Sequence, residues 1–218
     1  RFVIAWSAKW FGDPADKMMY MDQRDAVNVE DDRKILKGIW KLLNEADIVI
    51  TQNGKSFDSR RLNARFIQHG MKPPSPYKHI DTYLIIRSVA DFTSKKLEYV
   101  ADKLCRKYKK LKHEKFPGLS LWIQCLAGNR KAWEAMKEYN IHDVLSTEEL
   151  YEKIKAWAPK HIPTAYIPDD TKAQCESCGR LESLQPRGKH YTKGGYHQRY
   201  KCRHCGRWTQ GKKERTNG

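Results

Sequence analysis

No stretch of the 218 residues approaches the roughly 18 consecutive apolar side chains that a membrane-spanning helix needs, and mean hydropathy is −0.82. Nor does a charged-then-apolar leader of the secretory kind open the sequence, so a soluble cytoplasmic protein with no membrane partner is expected. Acid is in short supply. Only 26 Asp and Glu face 42 Lys and Arg, which leaves a formal charge of +16 and a pI near 9.6. Such an excess suits a polyanion, nucleic acid being the commonest, although a merely solvated basic surface has the same composition. Cysteine is sparse and unevenly placed. Cys105 and Cys125 stand alone and read as buried small hydrophobes, while Cys175, Cys178, Cys202 and Cys205 fall in two tight pairs. That is the pattern of a metal site in a reducing compartment, not of a disulfide framework.

Aromatic mass is plentiful. Seven Trp, eleven Tyr and six Phe exclude a disordered chain, and the length allows one mid-sized domain with a small appendage. Composition breaks once. Pro159, Pro163 and Pro168 end the preceding helical pattern and make a stiff connector over 159–170. This separates a first domain over 1–158 from a small module over 171–210, with a frayed tail over 211–218. The last 58 residues hold twelve Lys or Arg against five Asp or Glu, so the tail is the more basic part.

The first domain alternates strand and helix patterns. Phe2–Phe11 is an apolar run, turned at Gly12-Asp13-Pro14 into a returning strand over Lys17–Met21. Asp31-Asp32 opens a helix whose Ile35, Leu36, Ile39, Leu42 and Leu43 keep helical spacing. Ile48-Val49-Ile50 reads as a short buried strand, followed by a loop, a helix from Ser59 to His69, and a strand at His79-Ile80-Asp81. From Arg130 to Trp157 the pattern is helical, with Val144, Tyr151, Ile154 and Trp157 facing the core. A hairpin followed by α/β alternation implies a mixed sheet flanked by helices.

Two constellations could carry chemistry. The loop Asn53-Gly54-Lys55-Ser56-Phe57-Asp58 follows a strand and precedes a helix, which is where open α/β sheets bind ligands. Its plain reading is an Asn-Gly turn with Asp58 as a helix N-cap. In Tyr139-Asn140-Ile141-His142-Asp143 the Tyr and the final Asp lie four apart and share a helix face. A buried Tyr beside a surface Asp is the plain alternative.

Taken in order, Asn53-x-x-x-Phe57-Asp58 and Tyr139-x-x-x-Asp143 resemble the second and third motifs of DEDD-type 3′–5′ exonucleases, within the ribonuclease H-like superfamily. The Tyr is that of the DEDDy subgroup, similar to the proofreading domain of family B DNA polymerases and to phage and bacterial exonucleases of that kind. The segments Glu45–Val49, Leu62–Phe66, Pro73–Lys78 and Lys96–Tyr99 have counterparts there, and the likeness covers most of residues 2–158. The resemblance implies hydrolysis of phosphodiester bonds by two Mg²⁺ or Mn²⁺ ions about 3.5–4 Å apart. Asp58 and Asp143 would be ligands, Tyr139 would orient the attacking water, and Asn53 and Phe57 would hold the 3′-terminal nucleotides of DNA. It also implies a bacterial or phage-infected host cytoplasm and a replication or repair partner. His142 is not placed as the subgroup's alternative His, and Asp81 reads as a helix cap or a support to the site. The family's Asp-x-Glu, on its central first strand, has no counterpart here, and Phe2–Phe11 looks like the second strand. The expectation is that this strand lies upstream of Arg1 and that these residues alone are inactive or impaired. A non-catalytic nucleic-acid-binding or scaffolding protein with the same fold is the alternative.

In the tail, Cys175-x-x-Cys178-Gly179 and Cys202-x-x-Cys205-Gly206 are two knuckles separated by 23 residues. Four thiolates at this spacing close a tetrahedral Zn²⁺ site, and each Gly allows the tight turn. His204 lies between two cysteines and is not counted as a ligand. With a turn at Lys193–Tyr196, the module resembles a zinc ribbon, and so few aliphatic residues need such a staple. Arg199, Lys201 and Arg203 interleave with Tyr196, Tyr200 and Trp208, which suits a single-stranded nucleic-acid platform; a structural or protein-docking ribbon would look alike. A second basic run spans Lys103–Lys112 and reads either as a phosphate contact or as a solvated helix face.

Overall fold

The computed structural model describes residues 2–109, 116–158, 174–192 and 194–214. The chain divides into two units, Arg1–Lys153 and Ile154–Gly218.

In the first unit the apolar run becomes β1 (Ala5–Ala8), which pairs antiparallel with β2 (Met19–Asp22) from Ala5 opposite Asp22 to Ala8 opposite Met19. The returning strand begins at Met19, because Ala15–Lys17 first form a 3-10 turn. Then come α1 (Arg33–Glu45), β3 (Ile48–Thr51), α2 (Asp58–Gln68) and β4 (Lys78–Asp81), with β4 parallel to β3 and Thr51 opposite Asp81. Helices α3 (Thr82–Val89), α4 (Leu97–Leu104), α5 (Ser120–Leu126) and α6 (Arg130–Ile154) follow. None of the described helices is long and apolar enough to cross a membrane.

The mixed α/β fold is therefore present, with its strands in two ladders. Among the described residues no strand joins β1 to β3. Both ladders pack against α1, since Leu36, Ile39, Leu43 and Phe66 form one cluster with Trp6 of β1 and Val49 of β3. On its other face β1 sends Ala5 into a cluster of Leu121, Cys125, Trp133 and Met136 from α5 and α6. Alternate residues of one strand thus meet different helices, which makes three layers. At Gly38 the α1 backbone meets the hairpin directly. A Cβ there would lie 2.6 Å from Met21 Sδ and 2.8 Å from Trp6 Cζ2.

Asp32 stands where a helix should start, but its side chain does not cap α1. The fully buried carboxylate accepts the Val3 N–H at 2.7 Å, both Arg65 Nε and Nη2 at 2.9 and 2.7 Å, and faces His69 Nε2 at 2.8 Å. It ties the entry to β1, the start of α1 and the end of α2 to one point. Arg65 and His69 hold the carboxyl below its usual pKa although burial alone would raise it.

The second unit is an antiparallel meander of β5 (Leu184–Thr192), β6 (Gly195–Cys202) and β7 (Trp208–Glu214). β5 and β6 pair antiparallel up to Thr192 opposite Gly195, the two residues that flank the expected turn. Gly211–Glu214, expected to fray, instead form the far half of β7, because the opening half of β6 needs a backbone partner and Glu214 pairs with Tyr196. Trp157 is not in the core. It is 71% exposed on a 3-10 turn, Lys155–Trp157, that follows α6. The connector 159–170, Lys193, the tip 215–218 and the end of the basic run at 110–112 lie outside the described residues.

Candidate functional site

β3 ends at Thr51, and the chain turns through Asn53 in the left-handed region, φ 61°, which Asn tolerates better than most residues. Gly54 follows because a Cβ there would sit 2.6 Å from Thr51 Cβ. Asn53 and Gly54 carbonyls accept the N–H groups of Phe57 and Ser59, so the loop winds straight into α2. Asp58 is the first residue of that helix, and Phe57 stands at the cap position. It is exposed by area. Surrounding protein nevertheless raises its pKa by desolvation, with Arg61 opposing that rise and Asp81 adding to it. Phe57 is 46% exposed, and the Arg61 guanidinium lies 3.5 Å above its ring.

Asp81, opposite Thr51 at the end of β4, holds this loop in place. Its Oδ1 accepts Asn53 N–H at 2.8 Å and Tyr83 N–H at 3.0 Å, and its Oδ2 accepts Lys55 N–H at 3.1 Å. The expected helix cap is therefore present, and the same carboxylate also clamps the loop. Thr82 Oγ donates to Thr51 O at 2.9 Å, and Gln52 Nε2 donates to Lys95 O at 2.9 Å, which fixes the loop from its far side.

On α6, Tyr139 and Asp143 are half-buried one turn apart. Burial first, and then the Asp143 charge, push the Tyr139 pKa up. Trp122 sits edge-on to the Tyr139 ring at 6.3 Å. His142 belongs to another environment, 3.2 Å from Ser146 Oγ and edge-on to Tyr108, with its pKa lowered by burial. The side chains of interest thus gather in two groups, one at the β3–α2 junction and one on α6. Arg61 was missed in the sequence, although its spacing of four from Phe57 is the signal for a shared helix face.

The cysteines converge. Sγ atoms of Cys175, Cys178, Cys202 and Cys205 all lie within 4.8 Å of one another, with Cys175–Cys205 at 3.7 Å and Cys178–Cys202 at 3.8 Å. A tetrahedron of thiolates at a Zn–S length of about 2.3 Å has S···S edges of about 3.8 Å, so the donor set fits such an ion. Both knuckles are built alike. Gly179 and Gly206 have φ 70° and 76° and donate N–H to Cys175 O and Cys202 O. Cys202 is partly desolvated, yet the Ser183 hydroxyl and the N–H groups of Cys205 and His204 lower its pKa to about 6. Among the described residues these four are the one place where three or more metal-ligating groups meet. Arg199 and Lys201 lie on β6, whereas Arg203 lies in the second knuckle, its N–H bonded to Ser183 O.

A family model described as RNase_H superfamily matches residues 11–155, and the chain belongs to that superfamily. Membership supports a nuclease-type hydrolase acting on nucleic acid, in a superfamily that generally uses divalent metals. No curated protein matches the chain.

Proposed function

We propose that the protein is a metal-dependent 3′–5′ exonuclease acting on DNA. The observation that carries this reading is the placement of Tyr139 and Asp143 one turn apart on α6, in a superfamily domain that also sets Asp58 at the start of the helix following β3. Asp58 and Asp143 are hard oxygen donors of the type Mg²⁺ or Mn²⁺ prefers, and they would hold such ions. Bound there, the metals would stabilise the attacking and leaving oxygens. Tyr139 would orient water from the edge of Asp143. Phe57, backed by Arg61, would stack on a terminal base, and Asn53 would contact the same nucleotide.

Two carboxylates suit the metals in kind and fall short in number. β1 and β3 each keep one edge unpaired among the described residues, and a strand carrying Asp-x-Glu between them would supply the other two. The same shortage favours a second reading, a nucleic-acid-binding protein that keeps the fold without catalysis. The cysteine site is proposed to hold structural Zn²⁺.

The test is cleavage of a 5′-labelled single-stranded oligonucleotide in Mn²⁺, using the complete reading frame. A ladder shortening from the 3′ end, abolished by Asp143→Asn and reduced about 10- to 100-fold by Tyr139→Phe, is expected on the general scale of a lost positioning contact. Binding without cleavage by the wild type would select the second reading. Full activity in Asp143→Asn would remove Asp143 from the site.

A further inference from the structure

We infer that one face of the C-terminal sheet is a separate binding surface for single-stranded nucleic acid, built from Arg199, Lys201 and Trp208. Lys201 pairs directly with Trp208, so the two share a face, and Arg199 lies two residues along the same strand. The Arg199 guanidinium carbon is 5.3 Å from the Trp208 ring centroid and Lys201 Nζ is 5.8 Å from it. All three side chains are exposed, Trp208 at 48%. Arg199 and Trp208, with Thr209 and Gln210, line a shallow open cleft.

Charge and shape together select the occupant. No described carboxylate lies in ion-pair range of Arg199 or Lys201. The neighbouring residues of the sheet differ, since Tyr196 donates to Glu214 and Lys189 stacks at 3.9 Å on Tyr196, so charge and ring are already engaged there. Residues two apart on a strand are separated by about 6.8 Å, of the order of one nucleotide of an extended backbone. Two cations at that spacing beside an accessible indole fit alternating phosphate and base. A duplex buries its base faces and offers the indole nothing to stack on. The folded metal knuckles keep β6 and β7 in register, which makes the surface preformed.

The experiment is an equilibrium titration of a labelled oligothymidylate with the full chain at several salt concentrations, in buffer without Mg²⁺ or Mn²⁺ and without chelator. Trp208→Ala should weaken binding about 5- to 150-fold at unchanged salt slope, the effect of losing one stacked base. Trp208→Phe should restore most of it. Arg199→Ala with Lys201→Ala should flatten the slope by about 1.4, at about 0.7 for each phosphate contact. Retained metal and an unchanged melting profile show that the variants fold. Wild-type affinity and slope in all three variants would overturn the assignment, as would a Trp208→Ala variant that binds like the wild type. Equal losses on duplex and single strand would overturn it too. The readout needs no cleavage, so failure of the exonuclease reading leaves this result distinct.

Discussion

In the first unit the side chains most completely removed from water include Leu36, Leu121, Leu150, Ile35 and Trp133, each at 2% exposure or less. From Gln174 onward, the described hydrophobic residues that reach burial are Cys175 and Cys202, at 1% each. The first unit is held by apolar packing, where a fully buried Leu or Ile contributes about 1.5–3 kcal/mol. The ribbon has almost none of that, and its sheet converges instead on four sulfurs. One unit should therefore weaken by degrees as contacts are removed, and the other should fail all at once.

The largest expected effect tests that contrast directly. Structural zinc in small modules contributes about 10–16 kcal/mol of apparent binding free energy, far more than the ribbon's apolar contacts supply. Cys178→Ser should release the metal and erase hydrogen-exchange protection across β5, β6 and β7. The calorimetric transition of the first unit should stay within a few degrees of its original position. A ribbon that keeps its protected amides after metal loss would break the comparison.

Next in size is the buried ion cluster of the first unit. Asp32→Asn leaves Arg65 facing a neutral amide, and breaking a buried pair this way costs about 3–5 kcal/mol. The Asp32 pKa is lowered on folding, so its stabilisation is complete above the unfolded carboxylate pKa of about 3.9. It fades as pH falls through the still lower folded value. Thermal melts of the first unit should show this acid limb in the wild type and a flatter one in Asp32→Asn, with the ribbon's protected amides unchanged. An equal acid limb in both would remove Asp32 from the pH response.

These two cases also mark where sequence reading succeeds and where it fails. The cysteine site was legible because its four ligands lie in two local motifs, and local spacing dictates knuckle geometry. Helix α1 was legible from its apolar spacing. Asp32 was not, since its partners Val3, Arg65 and His69 come from segments about 30 residues away on either side. Asp81 read as a cap because Tyr83 is local. Its hold on Asn53 and Lys55 exists only once β3 and β4 pair. Gly211–Glu214 looked like a frayed end, because a polar strand gains its identity from the neighbour it pairs with.

The smallest effect sharpens the comparison with a matched pair of substitutions. Gly38→Ala should gain about 1 kcal/mol of helix propensity within α1. Its methyl group, however, would approach Met21 Sδ to 2.6 Å and Trp6 Cζ2 to 2.8 Å. The thioether can swing aside, but the indole is fixed by its N–H bond to Ile35 O at 2.8 Å. Overpacking of this kind costs about 1–3 kcal/mol, so a net loss of about 1 kcal/mol is expected. In the ribbon, a Cβ at Gly211 would meet Tyr200 Cε2 at 3.4 Å and Gln198 O at 3.6 Å, which is ordinary contact. Gly211→Ala should then be neutral or gain about 0.4–1 kcal/mol from a less flexible unfolded chain. Denaturant melts of each variant, read separately for the two units, decide the matter. Losses of equal size at both positions would mean that the sheet of the ribbon is packed as tightly as the layers around α1, and the contrast between the units would not hold.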